Sequence, residues 1–297
     1  MANANGWGDG ASNNNIGWGK GADNAIGWGD SHADSWAGLT DIVGTQTAAL
    51  LLDTYPSAAV AYSLRKLRTD YSGNAIRVRR SSDNAEQDFE FVSNDLDTAS
   101  LLTFCGAGNG FVTTWYDQSG NGLNVTQSTA NLQPTIVSSG VVVTMNGKPA
   151  INDYSGNSIN KSLLNTTFNG SSNHYSFTVL RHNATSQLLF NNNSGGYILA
   201  SQTGTNININ SGAGTVTYRK NGVNVNYANR GQVYIALTNQ SLMRLTANTS
   251  LWTQFRIGYN SGGFNTYRLQ EIIIFHSDES SNEVGIETNI NDFYSIY

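Results

Sequence analysis

The residues whose chemistry is easiest to name are two groups of aromatic and polar side chains. Trp115 and Tyr116 run directly into Asp117, and Trp252 is followed closely by Tyr259 and Asn260. Aromatic rings stack on the apolar faces of sugar rings, and amides and carboxylates bond to sugar hydroxyl groups. We therefore take six residues as candidate ligand contacts: Trp115, Tyr116, Asp117, Trp252, Tyr259 and Asn260. The alternative is that each ring belongs to the core, which is the more frequent location of a single large aromatic residue.

The sequence gives weaker indications of a metal site or of a catalytic nucleophile. Asp117-x-Ser119-x-Asn121-Gly122 is similar to the opening of a calcium loop, but the twelfth position should be Glu and is Ser128. A tight turn is the favoured interpretation, with a surface Ca²⁺ as the alternative. The single cysteine, Cys105, is expected to be a small core residue. The four histidines are too dispersed for a metal set: His32, His174, His182 and His276. We predict no metal site and no cofactor.

Composition narrows the class of protein. Charged residues are 12% of the 297-residue chain, against about 25% in typical proteins, while Gly numbers 31 and Asn numbers 38. Such a composition is typical of secreted β-proteins and of virion fibres. No basic and apolar leader follows Met1, and no apolar run approaches the ~20 residues that span a membrane. We expect release by lysis or by a leaderless route, which favours a phage component.

The net charge of −5 is unevenly distributed. Residues 154–270 contain no Asp or Glu and eight Lys or Arg, which leaves −13 for the rest of the chain. Because these cations are scattered along the sequence, they do not indicate a nucleic-acid groove. A face that tolerates anionic glycans is the better interpretation.

Periodicity predicts an all-β domain. A β-prone run at 111–116 leads into the turn 117–122, and an Asp-x-Ser-Gly-Asn turn also occurs at 70–74 and 153–157. Alternation predicts a strand at 75–80, and a continuous apolar run predicts one at 269–275. Short β-prone runs predict strands at 175–180, 233–238 and 214–219, the last of them before an Asn221-Gly222 hairpin signal. Helices are predicted at 48–53 and 58–67, and after a capping box at 280–283. These short strands at close spacing indicate a β-sandwich or jelly roll over residues 46–297.

Residues 1–45 form a separate N-terminal arm in this interpretation. The arm contains three Gly-Trp-Gly units and a fourth tryptophan: Trp7, Trp18, Trp28 and Trp36. A short Gly-rich segment cannot bury four indole rings against itself, so we expect the arm to anchor the chain on a partner or to form a homotrimer. A flexible low-complexity leader is the alternative.

Several motifs in the first half of the chain resemble one known family. Ala61–Leu67, Tyr71-Ser-Gly, Ile76–Asp83, Trp115–Gly122 and Asn146-Gly-Lys148 follow one another in the order found in the arabinofuranosidase B catalytic domain. The resemblance covers about residues 50–150 and is weak beyond them. It implies a concanavalin-A-like β-sandwich that cleaves α-L-arabinofuranosyl side chains. Related domains also occur in phage structural proteins behind similar Gly-Trp-Gly leaders.

The resemblance places both catalytic acids within residues 154–270, which contain no Asp or Glu and are called the acid-free span below. The family's acid/base segment corresponds to Ile257–Ser261, which places Asn260 at the acid position, and an amide cannot donate a proton as a carboxylic acid does. The first carboxylate beyond the span is Glu271, in a strand that the sequence predicts to be buried. Glycoside hydrolysis normally needs two facing carboxylates. The sequence therefore predicts that the chain is not an enzyme.

The function predicted from sequence is a bacteriophage virion structural protein: a head or tail fibre, or a capsid-attached decoration. The expected location is the virion, and the expected partners are other copies of the chain, other virion proteins and a host-surface glycan, without nucleic acid or membrane insertion. Two alternatives stay open. One is an α-L-arabinofuranosidase-like glycoside hydrolase, and the other is a cellular carbohydrate-binding lectin.

Overall fold

Short antiparallel strands make up most of the regular secondary structure in the described residues. A computed structural model describes residues 49–152, 162–182, 186–188, 190–192, 197–202, 204–211, 214–250, 252–257 and 267–297. Leu50–Tyr297 form one unit. The predicted arm and its four tryptophans lie outside the described residues, so anchoring and trimerisation through the arm stay predictions.

Twenty-two strands and four helices are assigned within the described residues. The strands of the first half are β1 Ala58–Ser63, β2 Ile76–Arg80, β3 Glu86–Phe89, β4 Phe91–Val92, β5 Asp95–Leu96, β6 Gly110–Trp115, β7 Val125–Thr126, β8 Thr135–Ser138, β9 Val141–Val142, β10 Thr144–Met145, β11 Lys148–Pro149 and β12 Ile151–Asn152. Those of the second half are β13 Leu163–Asn165, β14 His174–His182, β15 Ser186–Leu188, β16 Phe190–Asn191, β17 Ala200–Gln202, β18 Thr217–Lys220, β19 Val223–Val225, β20 Ser241–Ala247, β21 Phe255–Ile257 and β22 Tyr267–Phe275. The helices are α1 Leu51–Thr54, α2 Thr98–Cys105, α3 Arg230–Ala236 and α4 Glu283–Tyr294, with a 3₁₀ turn at Ala130–Leu132.

Two antiparallel layers are built from these strands. The front sheet has the order β16-β21-β13-β7-β6-β2-β3. The back sheet has the order β1-β22-β14-β20-β18-β19. Strands β8 and β12 join the layers, because β8 pairs with β6 and β12 pairs with both β8 and β22. The all-β sandwich predicted from the sequence is therefore confirmed.

The core lies between the inner faces of the two sheets. Alternate residues of the front strands point inward, since Ile76 and Val78 are buried while Arg77 and Arg79 are half-buried. A single cluster contains residues of both layers, including Cys105, Val78, Trp115, Val125, Ile257, Leu180, Met243, Ile272 and Ile274. The predicted core position of Cys105 is thus confirmed.

Helices α1 and α4 cover the outer face of the back sheet. A second cluster joins α1 and α4 to that face and contains Leu51, Leu52, Phe177, Val179, Ile273, Phe275, Ile286, Ile290 and Tyr294. Ile286 and Ile290 are one turn apart on α4, and burying each stabilises the fold by about 1.5–3 kcal/mol.

Ion pairs fix α4 to the back sheet and account for part of the uneven charge distribution. Arg219 of β18 binds Glu287 of α4 at 2.9 Å, and Arg244 of β20 binds Glu283. The hydroxyl of Tyr175 also donates to Glu283 at 2.8 Å. Two cations from the acid-free span therefore meet acids of the C-terminal helix inside the molecule.

Two predicted elements are wrong. Residues 58–67 form no helix: 58–63 are strand β1 and 64–67 follow it, because Val60 and Tyr62 enter the core at a period of two while β1 pairs with β22. Residues 233–238 fall in helix α3 and its end, where the side chain of Asn229 caps the N–H of Gln232 at 3.0 Å. The N-cap of α4 is Asn282, and its side chain makes no capping bond, so the predicted capping box is also absent. None of the described helices combines the length and the apolar composition required to cross a bilayer.

Candidate functional site

The segment Trp115–Gly122, called the signature segment below, leaves β6 and forms a turn whose first anchor is Asp117. The Asp117 carboxylate is 4% exposed and accepts bonds from the N–H of Ala61 at 2.8 Å and of Leu123 at 3.0 Å. It also accepts from the N–H and the hydroxyl of Ser119, at 2.9 and 2.7 Å. Because these donors occupy both of its oxygens, Asp117 holds the turn together, as the turn interpretation predicts.

Side-chain amides join the signature segment to β1 and the residues that follow it. Gln118 accepts from the N–H of Leu67 at 2.8 Å and donates to the carbonyls of Ser63 and Arg65 at 3.2 and 3.0 Å. Asn121 donates to the carbonyls of the first two residues of β1, at 3.1 and 3.0 Å. The family motif at 61–67 and the signature segment are thus hydrogen-bonded to each other.

Gly120 lets an arginine approach the turn. Its φ is +96°, and a Cβ atom here would lie 2.9 Å from Nη1 of Arg68. That nitrogen donates to the carbonyl of Ser119 at 2.8 Å. The other two guanidinium nitrogens of Arg68 bind both oxygens of Asp70, at 2.9 and 2.8 Å. The signature segment therefore positions Arg68, and Arg68 positions Asp70.

Two carboxylates line a cavity beside this turn, called the carboxylate cavity below. Its volume is about 240 Å³, and its polar lining is Asp53, Ser57, Arg68, Asp70 and Ser119. Asp53 accepts from the hydroxyl and the N–H of Thr69, at 2.6 and 3.0 Å, and from the N–H of Leu50 at 3.2 Å. Partial burial raises the pKa of Asp53, but these hydrogen bonds outweigh it and hold the pKa below its ordinary value.

A second cavity begins at the other end of the signature segment, at Gly122, and is called the amide cavity below. Its volume is about 510 Å³, and it lies over β7, β13 and β21 of the front sheet. Amide and hydroxyl side chains dominate its lining, and Arg256 is the charged residue among them. The signature segment thus contributes Ser119 to one cavity and Gly122 to the other.

The structure separates the residues predicted as ligand contacts. Trp115 and Trp252 are 0% and 1% exposed and belong to the core cluster, so their rings are not available for stacking. Tyr116 is half-buried, and its hydroxyl donates to Asp88 at 2.7 Å. Tyr259 and Asn260 lie outside the described residues.

Glu271, the carboxylate that follows the acid-free span, is an internal residue. It is 0% exposed and binds Nε and Nη2 of Arg65 at 2.7 and 3.0 Å. The hydroxyl of Ser63 donates to it at 2.7 Å. This buried pair joins β22 to the segment after β1. In the described chain, no three His, Cys, Asp or Glu side chains come together as a metal-binding group.

Comparison with known families decides the assignment. The family model described as "Alpha-L-arabinofuranosidase B, catalytic" matches residues 53–208, which is more than half of the chain. The chain belongs to this family. No curated protein sequence matches the chain significantly.

Solved structures of α-L-arabinofuranosidases have a similar fold. One is a GH54 enzyme soaked with a cyclic sulfate inhibitor, at 14% identity. Two others, at 15% identity, are a glutamate-to-glutamine mutant of a GH54 enzyme soaked with 4-nitrophenyl α-L-arabinofuranoside and an arabinofuranosidase complexed with arabinofuranosyl-α-1,2-xylobiose. Each has a TM-score of 0.52, and the structural match covers 81% of this chain and 64% of the other chain. The concanavalin-A-like sandwich expected from the resemblance is confirmed at the level of fold.

Membership of the arabinofuranosidase B family corrects the predicted function. The predictions of a non-enzymatic bacteriophage fibre or capsid protein and of a virion location are wrong, because the matching family and the similar structures are glycoside hydrolases. The sequence prediction rests on the acid position inferred at Asn260 and on the absence of Asp and Glu from residues 154–270. Carboxylates occur on both sides of that span.

Sequence reasoning missed Asp53, Arg68 and Asp70. A usable signal was present, because Asp70 opens the first Asp-x-Ser-Gly-Asn turn and follows Arg68 by two residues. The contribution of Asp53 could not be seen in the sequence, since it depends on how α1 lies against the residues after β1.

Proposed function

We propose that the chain is a glycoside hydrolase that removes α-L-arabinofuranosyl groups from a carbohydrate. The observation that carries this proposal is the family match over residues 53–208, a region that contains the signature segment and almost all of the carboxylate cavity. The chain spans 64% of the length of the similar arabinofuranosidase structures. Substrate and activity are therefore proposed for this chain and not transferred from them.

The sequence constrains which carboxylates can act. Because residues 154–270 contain none, both must come from the segments on either side of that span. Asp117 and Glu271 are buried and hydrogen-bonded within the protein, and Glu283 and Glu287 hold α4 in place. The carboxylate cavity brings Asp53 and Asp70 to one recess that solvent reaches, and we assign the reaction to this pair.

The surroundings of the two carboxylates suit different roles. Asp53 is held ionised by Thr69 and Leu50, as a nucleophile or a group that stabilises an oxocarbenium-like transition state must be. Asp70 is 71% exposed, so water and a leaving group can reach it, and we assign proton transfer to it. Arg68 fixes its orientation through two hydrogen bonds.

Hydrolysis of 4-nitrophenyl α-L-arabinofuranoside by the full chain tests this proposal. We expect release of 4-nitrophenol, reduced by about a hundredfold or more in Asp53→Asn and in Asp70→Asn. The matched control is Asp278→Asn, since Asp278 is also a loop aspartate whose pKa is lowered by hydrogen bonds from Ser280. It lies outside both cavities and should keep wild-type activity.

Two results would count against the proposal at different levels. No release by the wild-type protein would reject the function. Release that is unaffected by both Asp53→Asn and Asp70→Asn would keep the function and reject the carboxylate cavity as its site.

A further inference from the structure

We propose that His174 and His276 together form a binding site for one copper(I) ion at one end of the sandwich. This inference goes beyond the hydrolase function and does not depend on it, because neither histidine lines the carboxylate cavity or the amide cavity. It rests on the pairing of two strands, on the apolar surroundings of the two rings and on their unpaired nitrogen atoms.

Strand pairing brings together two histidines that are far apart in the sequence. His174 is the first residue of β14, and His276 directly follows the last residue of β22. The two strands are antiparallel, with Tyr175 opposite Phe275, so the next position of the register places His174 opposite His276. Directly opposite side chains lie on the same face of a sheet, with Cβ atoms about 4.5–5.5 Å apart. Each imidazole can therefore direct one nitrogen at a shared ion.

Aromatic side chains surround the two imidazoles on the inner face of the back sheet. The ring centroid of His174 lies 6.0 Å from that of Phe190 and 6.5 Å from that of Trp252. The ring of His276 lies 5.5 Å from that of Phe168. His174 is 1% exposed, whereas His276 is half-buried and gives an ion a route from solvent. The site is thus enclosed and apolar, with one ligand at its entrance.

Three ring nitrogens of the pair have no hydrogen-bond partner among the described residues. They are Nδ1 and Nε2 of His174 and Nε2 of His276, and all three are buried. A buried polar atom without a partner destabilises a fold, and a shared ion would satisfy one nitrogen of each ring. Burial lowers the pKa of both histidines, that of His174 to about 3, so each ring is neutral at pH 7 and keeps the lone pair that a metal requires.

The composition of the site favours copper(I) over divalent ions. No third His, Cys, Asp or Glu joins the pair in the described chain. The nearest acids in the sequence, Asp278 and Glu279, accept hydrogen bonds from Ser280 and Asn282. Zn²⁺ is almost always held by four ligands and Cu²⁺ prefers a tetragonal set, whereas copper(I) is stable with two nitrogen ligands in line. A single positive charge is also less costly to bury than a double one where no carboxylate is present.

Anaerobic titration of the full chain with copper(I), in competition with bicinchoninate and after removal of metals by a chelator, tests the inference. We expect one tightly bound ion per chain, and an affinity about a hundredfold or more weaker in His174→Gln and in His276→Gln. Loss of a residue that only supports a metal ligand already weakens binding by about 10–100-fold, and these variants remove a ligand itself.

The matched control is His182→Gln, at the other end of β14. His182 is also 1% exposed, and burial lowers its pKa to about 4, but it lies opposite Tyr267 instead of a second histidine. This control should bind copper(I) as tightly as the wild type does. The unfolding midpoint is measured for each variant, and the half-buried position of His276 makes His276→Gln decisive if His174→Gln does not fold.

Four results would count against the inference. They are the absence of copper(I) binding to the wild type, unchanged affinity in His276→Gln, equal weakening in His182→Gln, and tighter binding of Zn²⁺ than of copper(I). The second result would place the ion elsewhere, for example on the thiol of Cys105. The fourth would reject copper(I) as the ion of the site.

Discussion

Two aspartates that open the same five-residue motif have opposite environments. Asp117 is 4% exposed and accepts four hydrogen bonds within the turn and from β1, whereas Asp70 is 71% exposed and bound by Arg68 at a cavity. The sequence predicts both turns, because the turn chemistry is local. It cannot tell a structural aspartate from a solvent-accessible one, since burial depends on strands far away in the chain. The third copy, at 153–157, lies outside the described residues.

At the residue scale, replacing each of the two aspartates should change the free energy of unfolding by different amounts. We expect Asp117→Ala to lower the free energy of unfolding by about 2–4 kcal/mol, because it leaves the N–H groups of Ala61 and Leu123 buried without acceptors. Asp70→Ala, at the equivalent position of the first motif, should cost less than about 1 kcal/mol, as exposed ion pairs do. Urea denaturation of both variants makes the comparison. Equal losses would show that Asp117 is not the anchor of the turn.

At the scale of elements, the central strand β14 has a buried histidine at each end. His174 and His182 are each 1% exposed, and the His174 ring packs near Phe190 and Trp252. Burial lowers the pKa of His174 to about 3, with a further contribution from His276. Burial also lowers the pKa of His182 to about 4, and the nearby backbone of residues 233–234 opposes this change only in part. Both imidazoles are therefore neutral in the folded protein at pH 7.

These lowered pKa values make folding stability depend on pH. Above about pH 6.5 both histidines are neutral in the folded and unfolded states, and their contribution to stability is complete. Below pH 6.5 only the unfolded chain gains protons, so each histidine lowers stability by about 1.4 kcal/mol per pH unit until its folded pKa is approached. We expect urea denaturation between pH 6.5 and 5 to show stability that falls with pH, and a shallower fall in His174→Leu. An unchanged slope in that variant would contradict a neutral, buried His174.

The elements that sequence predicts correctly are those with a strong local pattern. Strands β2, β6, β14 and β22 lie where alternation, a β-prone run or a continuous apolar run predicts them, and the hairpin turn at Asn221-Gly222 lies where its turn chemistry predicts it. Residues 58–67 were misassigned because an Ala-rich run is helix-prone in isolation, and pairing with β22 overrides that preference. Tertiary pairing of this kind is not visible in a local pattern.

At the scale of the whole molecule, the proposed chemistry depends on segments that meet only after folding. The carboxylate cavity combines the end of α1, the chain after β1 and the signature segment, and the amide cavity combines β7, β13 and β21. The order of the motifs along the sequence was sufficient to indicate the family. The structure gives the physical basis for keeping two of them together, because the motifs at 61–67 and 115–122 are hydrogen-bonded to each other. The lining of the carboxylate cavity could not be predicted from the sequence, because its residues come from segments that are far apart in the chain.

The most direct test of the central claim is a crystal structure of the Asp53→Asn variant with arabinofuranosyl-α-1,2-xylobiose. The account predicts that the arabinofuranosyl ring lies in the carboxylate cavity, with Asp70 and Asn at position 53 on either side of the glycosidic bond. An arabinofuranosyl ring bound elsewhere, with the carboxylate cavity free of sugar, would contradict the claim that Asp53 and Asp70 form the active site.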